Sequence, residues 1–271
     1  MIHPRLSVNS LSSYSWTFAQ ELALWRDLGI GWAGVIGAKL GDDADAGLAQ
    51  MTAAGIGIST VIAPGFDLAA PESWEASRSQ LHAMIDSVAA HGGWSLYITP
   101  GRTTFAPWGE VLDLFARAAG PSADYARAKG VRLAFEPSMR PDVSFINTIR
   151  DAIDGAQAAG LGIVVDFGNC WMERDFRETL LSAAPHIALV QVGDTVVGPV
   201  QGPGQPAASG RVPFGEGDLP IARMLCDVRD TGYTGPIELE LPGYLGETEG
   251  YEAVIRRGVE KACNFFEQAG L

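Results

Sequence analysis

Positive charge is scarce in this sequence. Lys and Arg number 19 against 32 Asp and Glu, which leaves a net charge of −13 over 271 residues. A nucleic-acid binder needs a basic footprint to displace phosphate counterions, and no cluster of Lys or Arg supplies one. Nucleic acid is therefore not an expected partner. Cysteine is sparse too: Cys170, Cys226 and Cys263 show no Cys-x-x-Cys spacing and cannot all pair internally. That usage suits a reducing compartment, so a cytoplasmic location is expected. No apolar run approaches the roughly 18 residues of a spanning helix, so no membrane partner is expected either. The opening segment MIHPRLSVNS has neither a basic nor an apolar leader region, and no secretory signal is expected from it. No Gly-x-Gly-x-x-Gly opens a helix after the first strand pattern, which argues against a dinucleotide-binding sheet.

What is present is a repeated alternation of β-rich runs and helical patterns. Strands are expected at Arg5–Ser10, Trp32–Gly37, Gly57–Ala63, Ser95–Pro100, Val131–Pro137, Leu161–Phe167, Ile187–Asp194 and Pro236–Gly243. Helices are expected near Thr17–Leu28, Asp43–Ala54, Pro71–Ala90, Trp108–Lys129, Val143–Ala159, Glu173–Ala183, Asp218–Asp230 and Glu247–Gln268. Glycines at 29 or 31, 55, 93, 130, 160 and 235 stand where they could cap the helix before a strand. Strict alternation calls for a parallel sheet with right-handed crossovers. Eight such units in one uninterrupted chain fit an α/β fold of a single (β/α)8 TIM barrel spanning residues 1–271. The one long irregular stretch, Gly198–Gly217, follows strand seven and is rich in Gly and Pro.

In such a barrel chemistry gathers at the C-terminal ends of the strands. Strand five, VRLAFEP, ends at Glu136; strand six, GIVVDF, at Asp166. Strand seven, IALVQVGD, carries Gln191 near its end, and strand eight, PIELELPG, ends at Glu240. Side-chain alternation turns the Val, Ile, Leu and Phe of these strands outward and the four oxygen-bearing groups inward. Carboxylates converging in a barrel mouth raise one another's pKa unless a cation sits among them. With no thiolate or imidazole in the set, Mn²⁺ or Mg²⁺ suits it better than Zn²⁺. Arg132 and Glu238 share the inward parity at a deeper level, where neither could stay charged without a partner, and a pairing across the lumen is expected.

At these residues the chain resembles the xylose isomerase-like barrels of sugar isomerases and epimerases. AFEPS, VVDFGN, VQVGD and IELEL match that family's ligand order of Glu, Asp, His-or-Gln and Glu on strands five to eight. The resemblance implies a metal held by Glu136, Asp166, Gln191 and Glu240. GRVPFGEGDLP is similar to the family's Arg-x-x-Pro-Gly-x-Gly segment, with Phe214 inserted, and makes Arg211 a substrate-facing cation. TGYTGPIELEL is similar to the family's approach to the last ligand. The sequence departs from the pattern after strand six, where Asn169 stands in place of a His found in many members. His3, His82, His91 and His186 all fall away from the strand ends.

Lys39 after strand two and Arg102 after strand four could bind a substrate oxygen or remain solvated, and Asn169 lies beside the ligands. Cys170 reads as packing, because no neighbouring His or Lys lowers its pKa. Tyr14, Trp16, Phe105, Trp108, Trp171 and Phe214 are expected to wall the mouth around a small carbohydrate-like substrate. The leading expectation is a divalent-metal-dependent isomerase or epimerase of a small hydroxy-ketone, sugar or sugar-like acid, working through a cis-enediolate. Glu136 and Glu240 would be its acid–base pair, with Arg211, Lys39, Asn169, Trp171 and Phe214 on the substrate. Two alternatives stay open: a metal-dependent lyase or dehydratase on the same barrel, and a non-catalytic sugar-binding barrel. The oligomeric state, a homo-oligomer included, is not legible.

Overall fold

The computed structural model describes residues 1–102, 104–197 and 210–271, and for Tyr244 the backbone only. Eight parallel strands close into a barrel: β1 (Leu6–Asn9), β2 (Trp32–Ile36), β3 (Gly57–Ala63), β4 (Ser95–Ile98), β5 (Arg132–Phe135), β6 (Gly162–Asp166), β7 (Ile187–Val192) and β10 (Ile237–Leu239). The eight expected strands are all there, each a little shorter or of the expected length. Between β7 and β10 a two-stranded antiparallel piece pairs β8 (Asp194–Thr195) with β9 (Arg211–Val212). Of the Gly- and Pro-rich stretch that follows strand seven, residues 198–209 lie outside the described residues.

The outer layer is α1 (Phe18–Leu28), α2 (Ala44–Ala53), α3 (Trp74–Ala90), α4 (Trp108–Ala128), α5 (Ile149–Ala159), the short α6 (Phe167–Cys170), α7 (Phe176–Ala183), α8 (Ile221–Asp230), α9 (Tyr244–Glu249) and α10 (Tyr251–Ala269). Thr17 and Thr148 start α1 and α5 by accepting backbone N–H groups that the first helical turn leaves free. Left-handed glycines end α1 and α5, as the sequence predicts, but the positive φ before β4 and β10 falls on Gly92 and Gly232 rather than on 93 and 235. The last helical pattern is broken at Gly250, whose φ of 91° no helix accommodates. None of the helices among the described residues is long and apolar enough to cross a membrane.

The strands sort their side chains as the alternation requires. Leu133 and Phe135, Ile163 and Val165, Val190 and Val192, Ile237 and Leu239 turn outward into the main core under the helices. There Phe135 meets Phe115 of α4 edge to face at 5.3 Å, and each large side chain so buried contributes roughly 1.5–3 kcal/mol. The lumen holds a separate small cluster of Tyr97, Ala134, Val164, Ala188 and Leu189, with Trp94 against it. That apolar plug supports a polar layer above it, and the carboxylates stand at the top.

Arg132 does not cross the lumen to Glu238. It is exposed, with its guanidinium 3.7 Å from the centre of the Trp94 ring. A guanidinium gains more from an aromatic face open to water than from burial opposite a distant carboxylate.

One departure inside the helical layer is repaired by a side chain. Pro121 lies within α4 and has no N–H to give the preceding turn. The carbonyls of Arg117 and Ala118 accept instead from Arg78 of α3, at 2.9 and 3.1 Å. Arg78→Ala should therefore cost about 1 kcal/mol, the net worth of such a bond. In a Pro121→Ala background, where the helix supplies its own N–H, denaturant melts should show a smaller loss from the same substitution.

Candidate active site

The inward positions of four consecutive barrel strands meet at the C-terminal mouth. Register places Asp166 beside Gln191 and Gln191 beside Glu238. Glu136 follows β5 and donates its N–H to Ile98; Glu240 follows β10 and donates its N–H to Val192. One oxygen each from Glu136, Asp166 and Glu240 lies within 4.8 Å of the others. Asp166 and Glu240 are buried, and Glu136 is half-buried at the open side.

Most of the polar contacts in this cluster are made by two donors. Asn169 Nδ2 donates to Glu136 Oε1 at 2.8 Å and to Asp166 Oδ2 at 2.7 Å, and so ties the two carboxylates together. Arg211 donates through both terminal nitrogens to Asp166, at 2.7 and 2.6 Å. Its guanidinium fills a space that a Cβ on Gly168 would occupy, so the glycine is a condition of this pairing. The segment carrying Arg211 is held by Asp194, whose buried carboxylate accepts the N–H groups of Gly215, Gly217 and Leu219 at 2.9–3.1 Å. In the sequence Asp194 is marked for this role by no more than an acid at a strand end ahead of a Gly-rich run.

The charge balance of the cluster is unfavourable as it stands. Three carboxylates face one guanidinium. Burial, then the charge of Asp166, push the Glu136 carboxyl up to about 8, with Arg211 and Asn169 pulling it down. Glu240 is held well above the usual carboxylate range by burial and by Asp166 and Glu136. Burial works against the charge on Arg211, but Asp166, Glu240 and Glu136 outweigh it and keep the guanidinium protonated. Of the four buried side-chain oxygens without a hydrogen-bond partner among the described residues, two, Glu240 Oε2 and Gln191 Oε1, belong to this cluster. Orphaned acceptors next to an acid cluster are what a bound cation would satisfy, so the residues present fit a divalent ion with oxygen ligands.

Other sequence-predicted residues fall elsewhere. Lys39 is committed to buried Glu21 of α1 at 2.5 Å and to the Ser13 carbonyl at 2.9 Å, and Glu21 also accepts from Ser10 and Ser13. Phe214 does not reach the mouth: it is buried and packs edge-on against Phe265 of α10 at 5.3 Å. Its insertion in the loop is used to anchor that loop to the last helix. Trp171 is half-buried and lines a groove with Arg177 of α7 and Arg223 of α8. Trp16 packs on Tyr251 and Trp108 on Phe145, while Tyr14 and Phe105 are exposed. Arg102 is exposed. Cys170 is buried, and burial pushes its thiol well up, in keeping with a packing role. The four histidines lie away from the cluster, with His82 stacked on Tyr125 and His91 paired with Asp45.

The raised values of Glu136 and Glu240 carry a consequence for stability. Both groups hold protons in the folded chain that an unfolded Glu releases near pH 4.3. The contribution of Glu136 is therefore full below about pH 4.3 and is lost as pH rises through about 8, and that of Glu240 falls in the same direction. Stripped of divalent ions, the protein should lose melting temperature between about pH 5 and pH 8.5. Glu136→Gln should flatten that decline; an unchanged slope would assign Glu136 an ordinary carboxylate pKa.

The model of the family described as xylose isomerase-like TIM barrel matches residues 22–269. Among curated proteins no sequence matches. Solved structures share the whole architecture at low identity. A protein from Sinorhizobium meliloti 1021 has a TM-score of 0.83 at 20% identity, covering 96% of this chain and 98% of its own. The IOLI protein, in a structure with a bound zinc atom, has a TM-score of 0.83 at 18% identity, covering 98% and 99%. An L-ribulose 3-epimerase has a TM-score of 0.77 at 18% identity, covering 99% and 96%. At such identities the likeness speaks for the fold alone, and the family model for descent. The chain belongs to the xylose isomerase-like TIM barrel family.

Proposed function

We propose that this protein is a divalent-metal-dependent isomerase or epimerase of a small hydroxy-ketone, sugar or sugar-like acid. The observation that carries this reading is the acid triad of Glu136, Asp166 and Glu240 beside two orphaned acceptor oxygens at the mouth of the barrel. Glu136, Asp166, Gln191 and Glu240 are the residues that would hold the ion; Asp166, whose lone-pair sites accept from Gly168, Asn169 and both terminal nitrogens of Arg211, would exchange one of those bonds for it. When bound, a divalent ion polarises a substrate carbonyl and acidifies the adjacent C–H bond. Mn²⁺ and Mg²⁺ suit the all-oxygen set, and the zinc of the IOLI structure makes Zn²⁺ a third candidate to assay.

The chain's own residues divide the remaining work. Glu136 is the most accessible carboxylate of the triad, which suits the group that takes a proton from the substrate and returns it. Glu240 comes from a strand separated from β5 by β6 and β7, so the two carboxylates approach a substrate from different directions. One would remove the α-proton to leave a cis-enediolate, and the other would deliver a proton to the neighbouring carbon or to the opposite face. Asn169 holds Glu136 in register with Asp166 and stands where an imidazole would otherwise compete for the proton. Arg211 fixes Asp166 and adds a positive charge where a developing oxyanion gains most. Lys39, neutralised by Glu21, is withdrawn from the acid–base work.

Ketoses and ketoacids incubated with the protein and Mn²⁺ in deuterated water should take up deuterium at the carbon next to the carbonyl, with isomer formed and no water or aglycone released. Elimination products would move the lyase reading ahead, and binding without exchange would favour the sugar-binding barrel. Glu136→Gln and Glu240→Gln keep an oxygen ligand while removing the base. Each should lower kcat by about 10² or more with a smaller change in KM. Normal turnover in both variants would remove the two glutamates from proton transfer.

A further inference from the structure

Beneath the acid triad lies a carboxylate that the proposed chemistry does not use. Glu238 is fully buried in the lumen and sits at the level of Gln191 on the neighbouring strand. Its Oε2 accepts from Asn9 Nδ2 at 2.9 Å and from Gln191 Nε2 at 3.0 Å. Its Oε1 accepts from Ser59 Oγ, and Ser7 Oγ stands at 3.4 Å. A Cβ on Gly34 would overlap the same carboxylate, so β2 leaves space for it. Burial raises the Glu238 pKa, but four side-chain donors oppose that rise.

The direction of these bonds follows from one backbone group. Leu11 N–H donates to Asn9 Oδ1 at 2.8 Å, which turns Asn9 Nδ2 toward Glu238 and makes Glu238 Oε2 an acceptor. Gln191 can then meet Oε2 only with its NH₂ end, because its carbonyl oxygen would face another lone pair. Tyr97 Oη, 3.4 Å from Gln191 Nε2, takes the other side of that nitrogen. The amide nitrogen is thus fully engaged, and Gln191 Oε1 is left buried without a partner.

We propose that Glu238 is a positioning residue, which anchors the Gln191 amide by its nitrogen so that Oε1 is presented to the acid triad as a cation ligand. This rests on the metal site proposed above. A histidine ligand needs its second ring nitrogen fixed by a partner, and Glu238 does the equivalent for an amide, whose two ends are otherwise nearly interchangeable. The inward parity of Glu238 on β10 thereby gains a purpose that pairing with Arg132 does not supply.

The test is a double-mutant cycle on Mn²⁺ affinity, read in metal-stripped protein from the electron paramagnetic resonance signal of the free ion. Glu238→Met should weaken Mn²⁺ binding about 10–100-fold, the range typical of lost support behind a ligand. In a Gln191→Ala background the same substitution should change the affinity by less than about twofold, because its effect passes through Gln191. Equal losses in both backgrounds, or no loss in the parent, would overturn the proposal. Glu238→Gln keeps one acceptor oxygen for Asn9 and Gln191 and should restore most of the affinity, which guards against a misfolded Met variant. A readout independent of metal is the Gln191 side-chain amide resonance, identified by its loss in Gln191→Ala. Its protons should exchange slowly with solvent in the metal-free parent, and exchange as fast as in a surface Gln would overturn the anchoring. Failure of the parent to bind any divalent ion, with the amide still protected, would count against the metal site and not against the anchor.

Discussion

The concentration of buried negative charge at the barrel mouth is the constraint from which the rest of the site follows. Glu136, Asp166 and Glu240 converge because three strands end at the same level with inward side chains, and a closed barrel has no other place to turn them. Carboxylates so close and so poorly solvated cannot all remain ionised against a single guanidinium. The protein answers with carboxyl pKa values raised at Glu136 and Glu240, with Arg211 clamped on Asp166, and with Asn169 bridging two of the acids. Each answer is partial. A divalent ion among the same oxygens would complete the neutralisation, and it would turn an electrostatic cost into a Lewis-acid site.

A second demand is rigidity around that charge. The mouth is built on segments that look irregular in sequence yet are held by buried acids accepting backbone or hydroxyl hydrogens. Asp194 gathers three backbone N–H groups of the segment after β9 and so places Arg211. Glu21 accepts from Ser10, Ser13 and Lys39 and binds the loop after β1 to α1. Glu238 plays the same part in the lumen with Asn9, Ser7, Ser59 and Gln191. Buried acids outside the triad therefore act as organisers, which is how an acidic chain keeps the carboxylates at its mouth oriented without a wall of basic residues.

Family membership sets the architecture and leaves the reaction to this chain's own side chains. Asn169 and Gln191, both amides, stand where imidazoles serve in many relatives that the sequence resembles. An amide is neither an acid nor a base near neutral pH, so in the proposed reaction proton transfer falls to carboxylates. The mouth is also less aromatic than its sequence suggests, since Phe214 is given to the core and Trp171 to an outer groove.

The strand positions and the parity of their side chains were legible in the sequence, because period-two alternation at a barrel wall is a local property that burial on both faces enforces. Hence the inward placement of Glu136, Asp166, Gln191 and Glu240 at neighbouring strand ends is legible in the sequence. Local pattern did not reveal partners far apart in the chain. Lys39 met Glu21, Arg211 met Asp166, Arg132 found Trp94 instead of Glu238, and Phe214 found Phe265, all through distances that only closure of the barrel sets. Periodicity says which face a side chain takes, and tertiary packing decides what it finds there. The roles of Glu238 and Asp194 belong to that second kind: Glu238 becomes an anchor only when folding delivers donors from β1, β3 and β7, and Asp194 only when the segment from Gly215 to Leu219 folds back over it.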